Sequence, residues 1–127
     1  MKRPFGIETS ELEMQILFIE DDPRLADAFA ALANDIGHRA DVAYDGQAAV
    51  NLIAAKTYDT IFLDIGLPDI DGRELCRQLR AVSANTQACV IAVTGRADLS
   101  DTELASFDGY LLKPVTREAM ESAIKNS

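Results

Sequence analysis

At 127 residues, 48% of them hydrophobic, the chain is long enough to bury one domain's core without disulfide staples. Twelve basic residues stand against 21 acidic ones, a formal charge of −9, and no stretch gathers Lys and Arg into a patch suited to a phosphate backbone, so no nucleic-acid partner is expected. The N-terminus lacks a signal peptide's apolar core and no run approaches the roughly 18 apolar residues of a membrane span, so the sequence reads as cytoplasmic, with no membrane partner.

Residues 1–13 mix Pro, Gly, Thr, Ser and Glu without periodicity and read as a flexible lead-in to a single domain over 14–127. "QILFIE" is a strand-like run. "DPRLADAFAALANDIG" has helical spacing, with Asp22 as N-cap, Pro23 at the first helical position and Gly37 as the stop. "RADVAY" is a second strand, and "DGQAAVNLIAAKTY" a second helix opened by Asp45. "TIFLD" is the third strand and "GRELCRQLRAVSA" the third helix. "ACVIAVT" is the fourth strand, "GYLLKP" the fifth, and "TREAMESAIKN" a closing helix capped by Thr116. "GRADLSDTELASFD", where a fourth helix belongs, has only scattered apolar residues and predicts a short or irregular helix. Cys76 and Cys89 match no metal spacing and read as small buried hydrophobes in a reducing compartment. His38, in a helix-to-strand turn, reads as a surface residue.

Strands alternating with helices imply right-handed crossovers and a parallel sheet covered on both faces, which is why strands one, three and four are continuously apolar. The fold class is α/β, a flavodoxin-like (βα)₅ three-layer sandwich with strand order 2-1-3-4-5. In such sheets the functional crevice lies beyond the carboxyl ends of the strands. There strand one delivers Glu20, Asp21 and Asp22, strand three Asp64, strand four Thr94, and strand five Lys113 with Pro114. Asp22, just before Pro23, is accounted for as a helix cap. The remaining crowded carboxylates need protons or a cation, and an all-oxygen Mg²⁺ site is the simpler solution, with Asp21 and Asp64 as direct ligands and Glu20 reached through water. Asp64 is then placed as a nucleophile toward a phosphoryl group, whose peripheral oxygens Lys113 and Thr94 would help hold.

The acids of "ILFIEDDP", the acceptor of "IFLDIGLPDIDG", the hydroxyl of "VIAVTG" and the lysine-proline pair of "GYLLKP" stand in one order at strand ends. Together they resemble the receiver domain of two-component response regulators, the aspartate-phosphorylated partners of sensor histidine kinases. The resemblance runs from Gln15 to the C-terminus. It implies Asp64 as phospho-acceptor, Glu20 and Asp21 as the acidic pair for Mg²⁺, and the backbone carbonyl of Gly66 as a metal contact. It further implies Thr94 as switch hydroxyl, Tyr110 as switch aromatic, Lys113 as the phosphoryl-contacting lysine, and a cis Lys113–Pro114 bond. Read from the sequence alone, Tyr110 suits a core position equally well. The implied activity is phosphorelay signalling with autocatalysed phosphorylation and dephosphorylation rather than turnover of an external substrate. The implied partners are a sensor histidine kinase or histidine phosphotransfer protein and a downstream protein target, with the chain a monomer or weak dimer.

Nineteen positions separate Thr94 from Lys113, about three fewer than is usual in that family, or nearly one helical turn. Arg96, two residues past Thr94, is expected at the mouth of the crevice, where it would alter the phosphoryl lifetime. A haloacid-dehalogenase-like phosphatase also uses an aspartyl nucleophile, a strand-end Thr and a Lys, but carries a second acid two residues after the nucleophile, where this chain has Gly66. A non-phosphorylated receiver-like binding module is the other alternative, although such modules lose the acceptor, the acidic pair or the lysine. "DIDG" at 69–72 resembles part of a calcium loop, yet alignment on Gly72 puts Leu67 and Gln78 at ligand positions, so it reads as a turn opening the third helix. The start at Met1 and the nearly complete fold suggest a stand-alone protein.

Overall fold

The computed structural model describes residues 13–82 and 85–127; the lead-in expected over 1–13 lies, apart from Glu13, outside the described residues. Five strands, β1 (Gln15–Ile19), β2 (Arg39–Ala43), β3 (Thr60–Asp64), β4 (Cys89–Thr94) and β5 (Gly109–Leu112), alternate with five helices. The helices are α1 (Pro23–Asp35), α2 (Gly46–Ala55), α3 (Gly72–Ala81), α4 (Asp101–Leu104) and α5 (Arg117–Lys125). All four strand pairings are parallel, in the order β2-β1-β3-β4-β5.

Side-chain alternation divides the interior in two. Leu17, Ile19, Ile61, Leu63, Val90 and Ala92 point to one face, where Ala49 and Ile53 of α2 and Leu75, Cys76 and Leu79 of α3 cover them. Ile16, Phe18, Phe62, Ile91 and Val93 point to the other, against Phe29 and Ala33 of α1 and Met120 and Ile124 of α5. Both faces of the central strands are thus buried, which explains their unbroken apolar runs. Phe18 stacks on Phe62 at 5.0 Å between ring centroids and meets Phe29 at 5.7 Å.

Each helix opens on a side-chain cap that satisfies an otherwise orphaned N–H. Asp22 accepts from Arg24 N, Asp45 from Ala48 N, Asp71 from Arg73 N, Ser100 from Glu103 N and Thr116 from Ala119 N. Gly37, just past α1, has φ +102°, a left-handed conformation that glycine adopts without a Cβ clash. The expected third helix ends earlier than its sequence pattern, because Val82 turns extended (φ −83°, ψ 114°). Beyond it, wholly buried Asn85 donates to Ile53 O at 2.8 Å and Lys56 O at 3.0 Å and accepts from Tyr58 N at 2.8 Å, closing the C-terminal end of α2. The fourth helix is one turn, as its sparse apolar pattern predicts.

Two readings of single residues change. His38 is half-buried, and its Nδ1 accepts the Met14 N–H at 3.1 Å, so it ties the start of β1 to the turn after α1. Tyr110 is 54% exposed, because β5 is an edge strand whose alternate residues face outward; the core alternative for it is set aside. Cys76 is a free, buried thiol and Cys89 a free, half-buried one. No helix among the described residues is long and apolar enough to cross a membrane.

Candidate functional site

The carboxyl edge of the sheet gathers the chain's chemistry. The Glu20 N–H donates to Ala43 O at 3.0 Å and the Lys113 N–H to Thr94 O at 2.8 Å, so the ladder extends one residue past β1 and β5 and fixes both side chains over the edge. Asp64 pairs with Val93 in the β3–β4 register, which sets Asp64 beside Thr94. Glu20, Asp64 and Thr94 are 3%, 6% and 4% exposed, whereas Asp21 is exposed.

The Lys113 ammonium lies 2.8 Å from Glu20 Oε1 and 3.3 Å from Asp64 Oδ2. Asp64 Oδ1 accepts the Gly66 N–H at 2.9 Å, and Glu20 Oε2 accepts the Asp22 N–H at 3.1 Å. Burial pushes the Glu20 carboxyl above its ordinary range, and the Asp64 charge adds to that, against the opposing pull of Lys113 and the Asp22 N–H. Burial alone would lower Lys113, but the carboxylates of Glu20 and Asp64 hold its ammonium above the ordinary range.

Carboxylate oxygens of Glu20, Asp21 and Asp64 lie within 4.8 Å of one another. Three carboxylates against one ammonium leave two negative charges at the site. That all-oxygen, acid-rich set fits a hard divalent cation such as Mg²⁺.

Beside Asp64 opens a cavity of about 310 Å³ whose lining includes Gly66, Thr94, Arg73, Arg96, Leu99 and Glu103. A Cβ at Gly66 would touch Asp64 Oδ1 at 3.5 Å, so glycine keeps that side of the carboxylate open. Thr94 Oγ1 accepts the Arg96 N–H at 3.0 Å. The Arg96 guanidinium reaches Asp98 at 3.1 and 3.3 Å, and Arg73 is clasped by Asp71 at 3.0 Å. Sequence spacing anticipated Arg96 at the mouth; Arg73 and Glu103 gave no such signal, because one lies on α3 and the other on the one-turn α4. Tyr110 is absent from the cavity lining and stands exposed on β5, as does Leu112. The Lys113–Pro114 bond is cis.

Comparison with known proteins agrees with this geometry. A family profile described as "Response regulator receiver domain" matches residues 16–125. The chain is 33% identical over 116 residues to the transcriptional regulatory protein TcrA of Mycobacterium tuberculosis, covering 88% of this chain and 45% of that protein. It spans about half the length of the relatives it matches. In structure it is similar to a CheY-like response regulator receiver domain from Methylobacillus flagellatus, with TM-score 0.84 and 32% identity over 90% of this chain and 98% of that one. It is also similar to the receiver domain of the sensor histidine kinase PA1611 from Pseudomonas aeruginosa, which holds a magnesium ion in its active-site cleft, with TM-score 0.82 and 29% identity over 90% and 96% of the two chains. The chain therefore belongs to the receiver domain family of two-component response regulators, whose business is phosphorelay signalling.

Proposed function

We propose that the domain takes a phosphoryl group onto Asp64 from a phosphohistidine of a sensor histidine kinase or histidine phosphotransfer protein. The observation that carries this reading is the Glu20–Lys113–Asp64 ion-pair triangle, with Asp21 beside it, at the carboxyl edge of a doubly wound sheet. Glu20, Asp21, Asp64 and the backbone carbonyl of Gly66 would hold Mg²⁺, which when bound supplies charge neutralisation and polarises the phosphoryl oxygens.

Asp64 Oδ attacks phosphorus as the P–N bond to the donor imidazole breaks, its electron pair returning to the ring nitrogen, and an acyl phosphate forms. Lys113 is already poised 3.3 Å from Asp64 and is free to shift onto a phosphoryl oxygen. The Thr94 hydroxyl, which at rest accepts from Arg96 N, has its own proton to donate to another oxygen. The acyl phosphate adds about two negative charges at the crevice. Thr94 moving toward them draws the Gly95–Arg96 turn with it, and Tyr110 and Leu112 on the exposed β5 face carry the change to a downstream protein. Water attack on phosphorus then releases inorganic phosphate and restores the carboxylate. Arg96 at the cavity mouth sets how long the phosphoryl group survives. The acidic composition, 21 acidic residues against 12 basic, argues against direct nucleic-acid contact by this domain.

The reading is tested with an excess of radiolabelled phosphohistidine donor and Mg²⁺. One phosphoryl group per chain, lost in Asp64→Asn, is expected. Repeated release of phosphate from a stable phosphate monoester would instead mark a phosphatase of the haloacid-dehalogenase type, and neither behaviour would mark a binding module.

A further inference from the structure

The loop between β3 and α3 runs from Ile65 to Asp71 and carries Gly66. Its tip does not rest on its own neighbours. Asp69 Oδ1 accepts the Gly46 N–H at 2.9 Å and Oδ2 the Gln47 N–H at 3.2 Å, 23 and 22 residues away in sequence. These are the first two amides of α2, and the helix's own cap, Asp45, does not reach them; it accepts from Ala48 N at 2.8 Å. Each acid therefore closes a separate part of the helix's first turn. The Gly46 N–H above all, with the Gln47 N–H, holds the Asp69 carboxyl below its ordinary range against the opposing effect of desolvation, as expected for a carboxylate receiving backbone donors.

Packing repeats the connection. A Cβ at Gly46 would overlap Ile70 Cγ2, so the glycine admits the loop against α2. A Cβ at Gly72 would come 2.5 Å from Ile65 Cα, so the other end of the loop closes on its own start. The loop is fastened at two places, and Gly66 lies between Ile65 and the Asp69 clasp.

We infer that Asp69 is a positioning residue, which by clasping the first two amides of α2 holds the Gly66 loop in the geometry the acidic site needs for its divalent cation. The inference rests on the reading that Gly66 contributes a metal contact. Asp69 touches neither the metal nor the phosphoryl group. Removal of groups that orient metal ligands typically weakens affinity by about 10–100-fold. Because Asp69 acts on a backbone ligand through two intervening residues, Leu67 and Pro68, the low end applies, roughly tenfold. By reciprocity, cation binding would in turn protect the Gly46 and Gln47 amides.

The test is calorimetric Mg²⁺ titration of the full chain, with urea midpoints and amide exchange measured on the same samples. Asp69→Ala is expected to weaken Mg²⁺ about tenfold and to abolish the Mg²⁺-dependent slowing of exchange at Gly46 and Gln47. Asp69→Asn keeps one acceptor and should fall between; an effect of charge alone would make it equal to Asp69→Ala, which would overturn the inference. Asp45→Ala destabilises the same helix turn without touching the loop, and its Mg²⁺ affinity should stay within twofold of wild type. Equal losses of affinity in Asp45→Ala and Asp69→Ala would reduce Asp69 to a helix cap and overturn the inference. Wild type that binds no Mg²⁺ would overturn the metal reading itself, and this inference with it, a result distinct from unchanged binding in Asp69→Ala beside a binding wild type.

Discussion

Replacing Lys113 by methionine keeps the stem's packing and removes the one cation that, among the described residues, pairs with Glu20 and Asp64. At an effective dielectric of about 20, the 2.8 Å contact to Glu20 is worth about 6 kcal/mol and the 3.3 Å contact to Asp64 about 5 kcal/mol before desolvation, which offsets most of both. Breaking a buried pair typically costs about 3–5 kcal/mol. Lys113 keeps part of its side chain in water, so the lower figure of about 3 kcal/mol applies, lowering Tm by roughly 10 °C for a domain of this size. Thermal and urea unfolding in EDTA, with no divalent cation to substitute for the ammonium, reads this directly. A double-mutant cycle with Glu20→Gln should return a coupling of at least about 1 kcal/mol. A Tm loss below about 2 °C, or a coupling indistinguishable from zero, would refute the assignment of Lys113 as the counter-charge of the site.

Asn85→Ala leaves the Tyr58 N–H and the Ile53 and Lys56 carbonyls without their buried partner and should cost about 3 kcal/mol or more in urea unfolding, far above an ordinary loop substitution. Arg96→Ala opens the cavity mouth and should shorten the phosphoryl lifetime about threefold, read as loss of the phosphorylated mass with time; an unchanged lifetime would remove Arg96 from the account. Burial alone would raise Asp41, but hydrogen bonds from Lys56 at 2.9 Å and Tyr58 Oη at 2.7 Å hold it below the usual carboxylate range. A depressed folded-state pKa stabilises above the unfolded value of about 3.9 and is lost as pH falls through the folded one. The stability gap between wild type and Asp41→Asn should therefore be full at pH 7 and narrow below about pH 4, and a gap independent of pH would contradict this.

What was legible in the sequence lay in local patterns. An apolar run ending on Asp64 has no local neutraliser, and the same oddity at Glu20, Asp21 and Lys113 made the edge of the sheet readable before any coordinates. Helix starts were equally plain at Asp22, Asp45 and Thr116, because each caps a residue that follows it closely in sequence. Bonds across the fold left no local trace. Asp69 looked like a turn residue although it caps a helix 23 positions earlier, and Asn85 gave no sign that it closes the far end of that helix. His38 was misjudged for the same reason, since its partner Met14 N is 24 positions away. Tyr110 was a different case: "GYLLKP" fixes a strand but not its position in the sheet, and here β5 lies at the edge with Tyr110 and Leu112 exposed. That Lys113 lies closer to Glu20 than to Asp64 was announced by no motif.

The central claim is that Asp64 is a metal-dependent phosphoryl acceptor. Intact mass spectrometry of wild type and Asp64→Asn with acetyl phosphate and with phosphoramidate, each with Mg²⁺ or EDTA, tests it most directly. The account predicts a single gain of about 80 Da in wild type that requires Mg²⁺ and is absent from Asp64→Asn. An unmodified wild type with both donors and with a phosphohistidine protein, or an adduct that persists in Asp64→Asn, would contradict it.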